Sequence, residues 1–184
     1  MRIVFWGLIL GFVSIAGQAI GFTKSQERNA LERREPNLEV SLVAKTQRYK
    51  PDDRIKLEVL LINNDGVKDI FVYGTLQFGS RASFTLFRRD AKGKEVPTRF
   101  IDDAWELPPK SNDVSAFVKL LPFHFLGTTY SSSIHMLNME RPGRYTMWVE
   151  YHCPISTADV SLSPFWGKES GTIKSNVIEI DVLP

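Results

Sequence analysis

Residues 137–153 read LNMERPGRYTMWVEYHC, a turn followed at once by an alternating strand. Pro142 presets φ for the second turn position, and Gly143 accepts φ > 0 because it has no Cβ to clash. Beyond the turn two faces separate. Tyr145, Met147, Val149, Tyr151 and Cys153 fall on one, and Thr146, Trp148, Glu150 and His152 on the other.

Working outward, a connection of 19 residues, PISTADVSLSPFWGKESGT, leads from Cys153 to a last strand over 173–183. In that strand Ile178, Ile180 and Val182 face inward while Glu179 and Asp181 face out. Toward the N-terminus, 38–44 alternates through Leu38, Val40, Leu42 and Ala44, and 54–63 through Ile55, Leu57, Val59 and Leu61. Asn63-Asn64-Asp65-Gly66 closes that second strand with residues that tolerate left-handed backbone. Strands are expected over 69–76, 83–90 and 95–101, the last two joined by a turn at Ala91-Lys92-Gly93-Lys94. Residues 102–113 read as a loop, 114–121 as a strand, 122–129 as a bend or bulged continuation, and 130–137 as the return to the Pro142 turn. No helical period longer than two turns and no internal repeat follows residue 38. Strands separated by turns at short intervals predict an all-β sandwich or barrel.

Tyr145 opens a long strand just past Pro142-Gly143, and it resembles the tyrosine corner of immunoglobulin-like sandwiches, whose phenol hydroxyl bonds back to upstream backbone. The resemblance spans residues 38–184 and implies a single immunoglobulin-like antiparallel β-sandwich of about 7–9 strands. It makes 54–63 strand B, 144–153 strand F and 173–183 strand G, with Leu57 or Val59 where antibodies hold a disulfide partner. The antibody cysteine pair is absent, as is a Trp in the strand after B, so a bacterial-type exported domain is the better match.

The chain starts with an address. Met1-Arg2 precedes an uncharged run over 3–20, and Gly17 and Ala19 occupy positions −3 and −1 of a cleavage site. This predicts a secretory signal peptide over 1–19, and an uncleaved membrane anchor over 3–20 is the alternative. With no cysteine at the boundary, a lipoprotein is excluded. Residues 20–37 form a polar linker and 38–184 the domain. The expected location is therefore outside the cytoplasm: periplasmic, secreted or at the cell surface. A membrane partner is expected only if the leader is retained. The chain is 43% hydrophobic and 24% charged with net charge +2, and lacks the basic run of a nucleic-acid surface. A single cysteine means that the fold rests on its core and not on disulfides.

Chemistry-bearing motifs are few. There is no Gly-x-Ser-x-Gly elbow, phosphate-binding glycine loop or His-Glu-x-x-His motif. Cys153 and His152 are adjacent, but neighbours on a strand point to opposite faces, so a nucleophile would need His124 or His135 instead. A buried thiol is the plainer reading. Asn63, Asn64, Asp65 and Asp69 gather oxygens that a calcium ion could use, although turn chemistry accounts for them. Asp102, Asp103 and Glu106 read as a solvated loop. No catalytic residue, metal or cofactor is expected.

The long F–G connection stands out, because loops beyond about 12–15 residues are usually functional or disordered. In an immunoglobulin-like sandwich it shares one end with the B–C loop, which would place Phe165 and Trp166 beside Asn64 and Asp65 as a partner-binding surface. The alternative is that both aromatics cap the core. The expected function is a non-catalytic exported binding or accessory domain that meets a protein or cell-envelope partner through this loop. An immunoglobulin-like extracytoplasmic proteinase inhibitor is the other reading.

Overall fold

Alternation in the sequence becomes pairing in space. In a computed structural model, residues 37–79, 83–97 and 113–184 are described. The leader, nearly all of the linker, the second half of the expected 95–101 strand and the acidic residues at 102–106 lie outside these. The described residues belong to one unit. Their strands are β1 (Leu38–Ala44), β2 (Arg48–Tyr49), β3 (Arg54–Asn63), β4 (Ile70–Tyr73) and β5 (Phe84–Arg89), then β6 (Phe117–Leu120), β7 (Phe125–Ser133), β8 (Gly143–His152), β9 (Thr172–Lys174) and β10 (Ile178–Val182). The order is β1-β3-β7 in one sheet and β2-β10-β8-β5 in another, with β9 also on β8 and β4-β6 as a separate pair. Only β2–β10 is parallel; the other strand pairs are antiparallel. The described chain is all-β, and its sheets are compatible with a β-sandwich.

The inward faces are those the alternation predicts. Val40 and Leu42 of β1, Ile55, Leu57, Val59 and Leu61 of β3, Met147, Val149 and Tyr151 of β8, and Ile180 of β10 are all buried. At the turn Gly143 has φ of 149°, and the Tyr145 hydroxyl donates to the Arg141 carbonyl at 2.8 Å. The inward phase of β5 also sends Arg88 into the interior, where Nη2 donates to the Val96 carbonyl at 3.2 Å and burial lowers the guanidinium pKa. Trp148 is buried although it faces away from this core. Its ring stacks on Phe87 and lies under the charged groups of Arg89 (5.0 Å to the ring centroid) and Lys174 (4.4 Å).

Several expected strands come out shorter. Residues 114–116 form a 3-10 turn capped by Asp113, leaving β6 only 117–120. In the described part of 95–101, Glu95 makes an isolated bridge to Arg89. The last strand divides at 175–177, where three residues oppose two of β8 (148–149), a bulge. Ser175 holds it: its amide donates to the Val149 carbonyl and its hydroxyl accepts from the Val149 amide. The bulge leaves Asn176 free to reach β1. Its side-chain amide donates to the Leu42 carbonyl at 2.9 Å and accepts from the Leu42 amide at 2.8 Å.

Candidate functional site

The connection between β8 and β9, residues 153–171, is built as a fixed structure. Glu169 closes it: its carboxylate accepts from the Ser156 hydroxyl (2.6 Å), the Thr157 amide (2.8 Å) and the Thr157 hydroxyl (2.9 Å). Those donors pull its pKa down to about 2, with the Ser156 hydroxyl contributing most. Gly167 sits where a Cβ would lie 2.5 Å from Thr157 Cγ2 and 2.9 Å from Thr157 N, so the loop's two limbs approach as closely as only glycine permits. Lys168 N donates to the Ile155 carbonyl at 2.7 Å, tying the same limbs.

Phe165 and Trp166 lie against the β4–β6 pair. Phe71 N donates to the Pro164 carbonyl at 2.8 Å and Trp166 N to the Phe71 carbonyl at 2.9 Å, while the Phe165 ring meets Phe117 edge-on. Both side chains are half-buried and packed on the core, and the Trp166 indole N–H is enclosed without a hydrogen-bond partner. The geometry of a cap is thus present, with both residues still partly open to solvent. The outward face of the connection belongs instead to Thr157, Ala158, Asp159, Lys168, Glu169 and Ser170, all exposed.

Asn64 and Asp65 lie in the loop that leads into β4. The Asn64 side chain donates to Glu39, and Asp65 Oδ1 accepts from the Val67 and Lys68 amides within its own loop. The Asp65 bonds are those of turn chemistry, whereas Asn64 reaches across to β1. Asn63, read from sequence as a turn residue or one oxygen of a calcium loop, is fully buried and ties two loops. Its side-chain NH₂ donates to the Lys68 and Leu120 carbonyls (2.8 and 3.0 Å) and its oxygen accepts from the Asp65 amide.

The reactive side chains do not converge. Cys153 is buried, and burial pushes its thiol up to about 11; burial also raises the Tyr151 hydroxyl beside it well above its ordinary value. At neutral pH the thiol is protonated and closed to solvent, unlike an activated nucleophile. His135 pairs with Glu140 at 2.6 Å, His124 sits in the turn before β7, and His152 faces outward from β8 with its pKa lowered by burial. Among the described residues no three His, Cys, Asp or Glu side chains are placed to hold a metal.

A second exposed feature was not legible in the sequence. Residues 121–124 form a turn closed by His124 N donating to the Leu121 carbonyl, with Pro122 second and Phe123 third at φ of 62°. That third position favours glycine or asparagine, and a left-handed conformation costs a bulky residue about 1–2 kcal/mol. Asn63 and residues 123–124 exchange backbone bonds, and Asn63 also donates to Leu120, so the turn stands firmly on the end of β3. Phe123 (67% exposed), Phe125 (62%), Leu121 (45%) and Val67 of the neighbouring loop (75%) point to solvent. The signal was the Phe-x-Phe pair after Leu-Pro: once Leu126, Thr128, Tyr130 and Ser132 face inward, Phe125 faces out.

No protein-family model matches this chain, and no curated protein matches it. A solved β-glucosidase structure from Erythrobacter marinus is similar at 11% identity with a TM-score of 0.37, over 80% of this chain. The chain spans 16% of that protein's length, and so slight a likeness carries no argument about fold or activity.

Proposed function

We propose that this chain is an exported, non-catalytic binding or accessory domain of the immunoglobulin-like class, which contacts a protein or cell-envelope partner through the 153–171 connection. One observation carries the reading: a long connection is clamped by Glu169 and Gly167 into a single shape with a polar outer face. A pre-ordered loop loses little entropy on association, so its contacts go further toward affinity. The immunoglobulin-like assignment draws support from β1, β3 and β7 in the order of strands A, B and E, and from β5, β8 and β10 in that of C, F and G. The Tyr145–Arg141 bond and the bulge before β10 are consistent with it. Support for a non-catalytic role comes from the protonated, enclosed Cys153. The half-buried edges of Phe165 and Trp166 flank the proposed contact, with Asn64 and Asp65 at its periphery.

The test is a photoreactive side chain placed at Lys168 and, as a control, at Lys56 on the outer face of β3, both in protein expressed in its native host. Irradiation is expected to give a discrete adduct from position 168 and none from position 56. Equal adducts at both positions, or none at 168, would overturn the reading.

A further inference from the structure

We propose that the open edge of β7 pairs with β7 of a second copy of this chain, antiparallel about a twofold axis at Thr128. The proposal goes beyond the partner contact at 153–171 and does not depend on it. Hydrogen-bond direction defines the edge. At the two ends of an unbroken β3–β7 ladder, the His124 carbonyl accepts from the Asn63 amide and the Ile134 amide donates to the Asp53 carbonyl. Leu126, Thr128, Tyr130 and Ser132 therefore bond to β3, while the amides and carbonyls of Phe125, Gly127, Thr129 and Ser131 point away from it. β7 is the edge of its sheet, and among the described residues no backbone group pairs with those four, all of them exposed. Other edges are closed: Asn176 engages Leu42 of β1, and on β5 Gln77 and Gly79 engage Phe84 while Val96 engages Arg88. Edge strands are ordinarily blunted by charge, proline or a bulge. β7 has none of these over its nine residues.

Three features select a second copy as the occupant. Among the strands of five residues or more, β7 alone contains no Asp, Glu, Lys, Arg or His. A foreign strand sets no such condition, whereas a twofold contact brings any charge close to its own copy. The free positions are also symmetric about Thr128. In an antiparallel pair Phe125 faces Ser131 of the copy and Gly127 faces Thr129, so all four exchange bonds. The array stops at matching ends: Phe123, at φ of 62°, leaves the strand, and the Ser133 carbonyl is taken by the Leu137 amide. The side chains match in the same register. Arg54 lies against Ser131, with Nε 3.4 Å from its hydroxyl and Nη2 3.3 Å from its carbonyl. That carbonyl keeps a second lone pair for the copy. Phe125 of the copy, 62% exposed in the single chain, then meets the Arg54 guanidinium, and the twofold makes this cation–aromatic contact twice. The two Arg54 side chains stay about 20 Å apart, at opposite ends of the ladder. Two three-stranded sheets become one of six strands.

The test traps the pair covalently, with the full chain expressed in its native host and oxidised by diamide. Thr128→Cys puts two thiols on the axis, where facing Cα atoms lie about 4.5 Å apart, within disulfide reach. Val43→Cys, exposed on β1, is the control, and the native Cys153 is buried and protonated in both. Position 128 is expected to link into a dimer and position 43 to stay monomeric. Phe125→Lys, added to Thr128→Cys, should abolish the link by setting a like charge against Arg54, while Phe125→Glu should retain it. Arg54→Glu combined with Phe125→Lys should restore it. Equal linking at 43 and 128, or none at 128 at any concentration, would overturn the proposal. So would a link indifferent to Phe125→Lys, a link lost equally with Phe125→Lys and Phe125→Glu, or a charge swap that fails to restore it. A linked product whose mass is not that of two chains would assign the edge to a different protein and overturn the second copy.

Discussion

The Tyr145 hydroxyl shows what one atom can do at a turn. Its bond to the Arg141 carbonyl closes the chain just before β8, the strand shared by β5, β9 and β10. Tyr145→Phe keeps the ring in the core and removes only the donor, leaving a partly buried carbonyl unpaired. The expected loss is about 1–3 kcal/mol in denaturant melts. Thr146→Ala, one residue along and facing away, should change stability by less than about 0.5 kcal/mol. Equal effects at the two positions would mean that the hydroxyl does not hold the turn. This residue was legible because its signal is local: proline, glycine, then strict alternation. Asn63 was not, because its decisive bond goes to Leu120, 57 positions away, and nothing near it in sequence distinguishes a rivet from a turn residue. Phe123 was hidden for a related reason, since an aromatic beside a strand is ordinarily counted toward the core.

At the scale of elements, legibility followed apolar alternation more than length. β7 runs nine residues, Phe125–Ser133, where the sequence suggests only a bend over 122–129 and a return over 130–137. Its Gly, Thr and Ser positions carry little apolar signal. β1, β3 and β8 have seven to ten residues, enough for alternation to stand out. β4 and β6 have four each, and what defines them is each other and the 164–166 limb. The sequence marked the 153–171 connection as unusual by length and composition, but its clamp depends on Glu169 folding back 12 and 13 positions to Thr157 and Ser156. That clamp has a pH signature. The carboxyl has its pKa lowered to about 2 in the folded chain, against an ordinary value of 4.5. A lowered carboxylate pKa stabilises the fold at pH values above the unfolded pKa, and that contribution is lost as pH falls through the folded value. Protection of the Thr157 amide from hydrogen exchange should therefore persist through pH 4 and fall near pH 2. In Glu169→Gln the amide should be less protected throughout and show no such step. A carboxyl midpoint near 4.5 in the parent protein would show that the clamp is not formed in solution.

Across the whole molecule, the two sheets are tied through the ends of the chain: β2, which follows β1, pairs with β10 in the second sheet, and Asn176, just before β10, bonds Leu42 of β1. The outward amide and carbonyl of Leu42 would otherwise be an open edge, the kind of surface on which strands of separate molecules pair. Asn176→Ala removes both bonds, each worth about 0.5–1.5 kcal/mol net. The expected result is a small drop in melting temperature together with larger species in light scattering as concentration rises. A variant of the parent's size at every concentration would show that the edge is guarded in some other way. The pair also carries a time. Leu42 and Asn176 are 134 positions apart. At about 5–20 residues per second, a ribosome makes the second roughly 7–27 s after the first. For that interval the first strand has no Asn176 to meet, and how long it stands open to other nascent chains is fixed by the pace of translation, whatever the strength of the bond that eventually closes it.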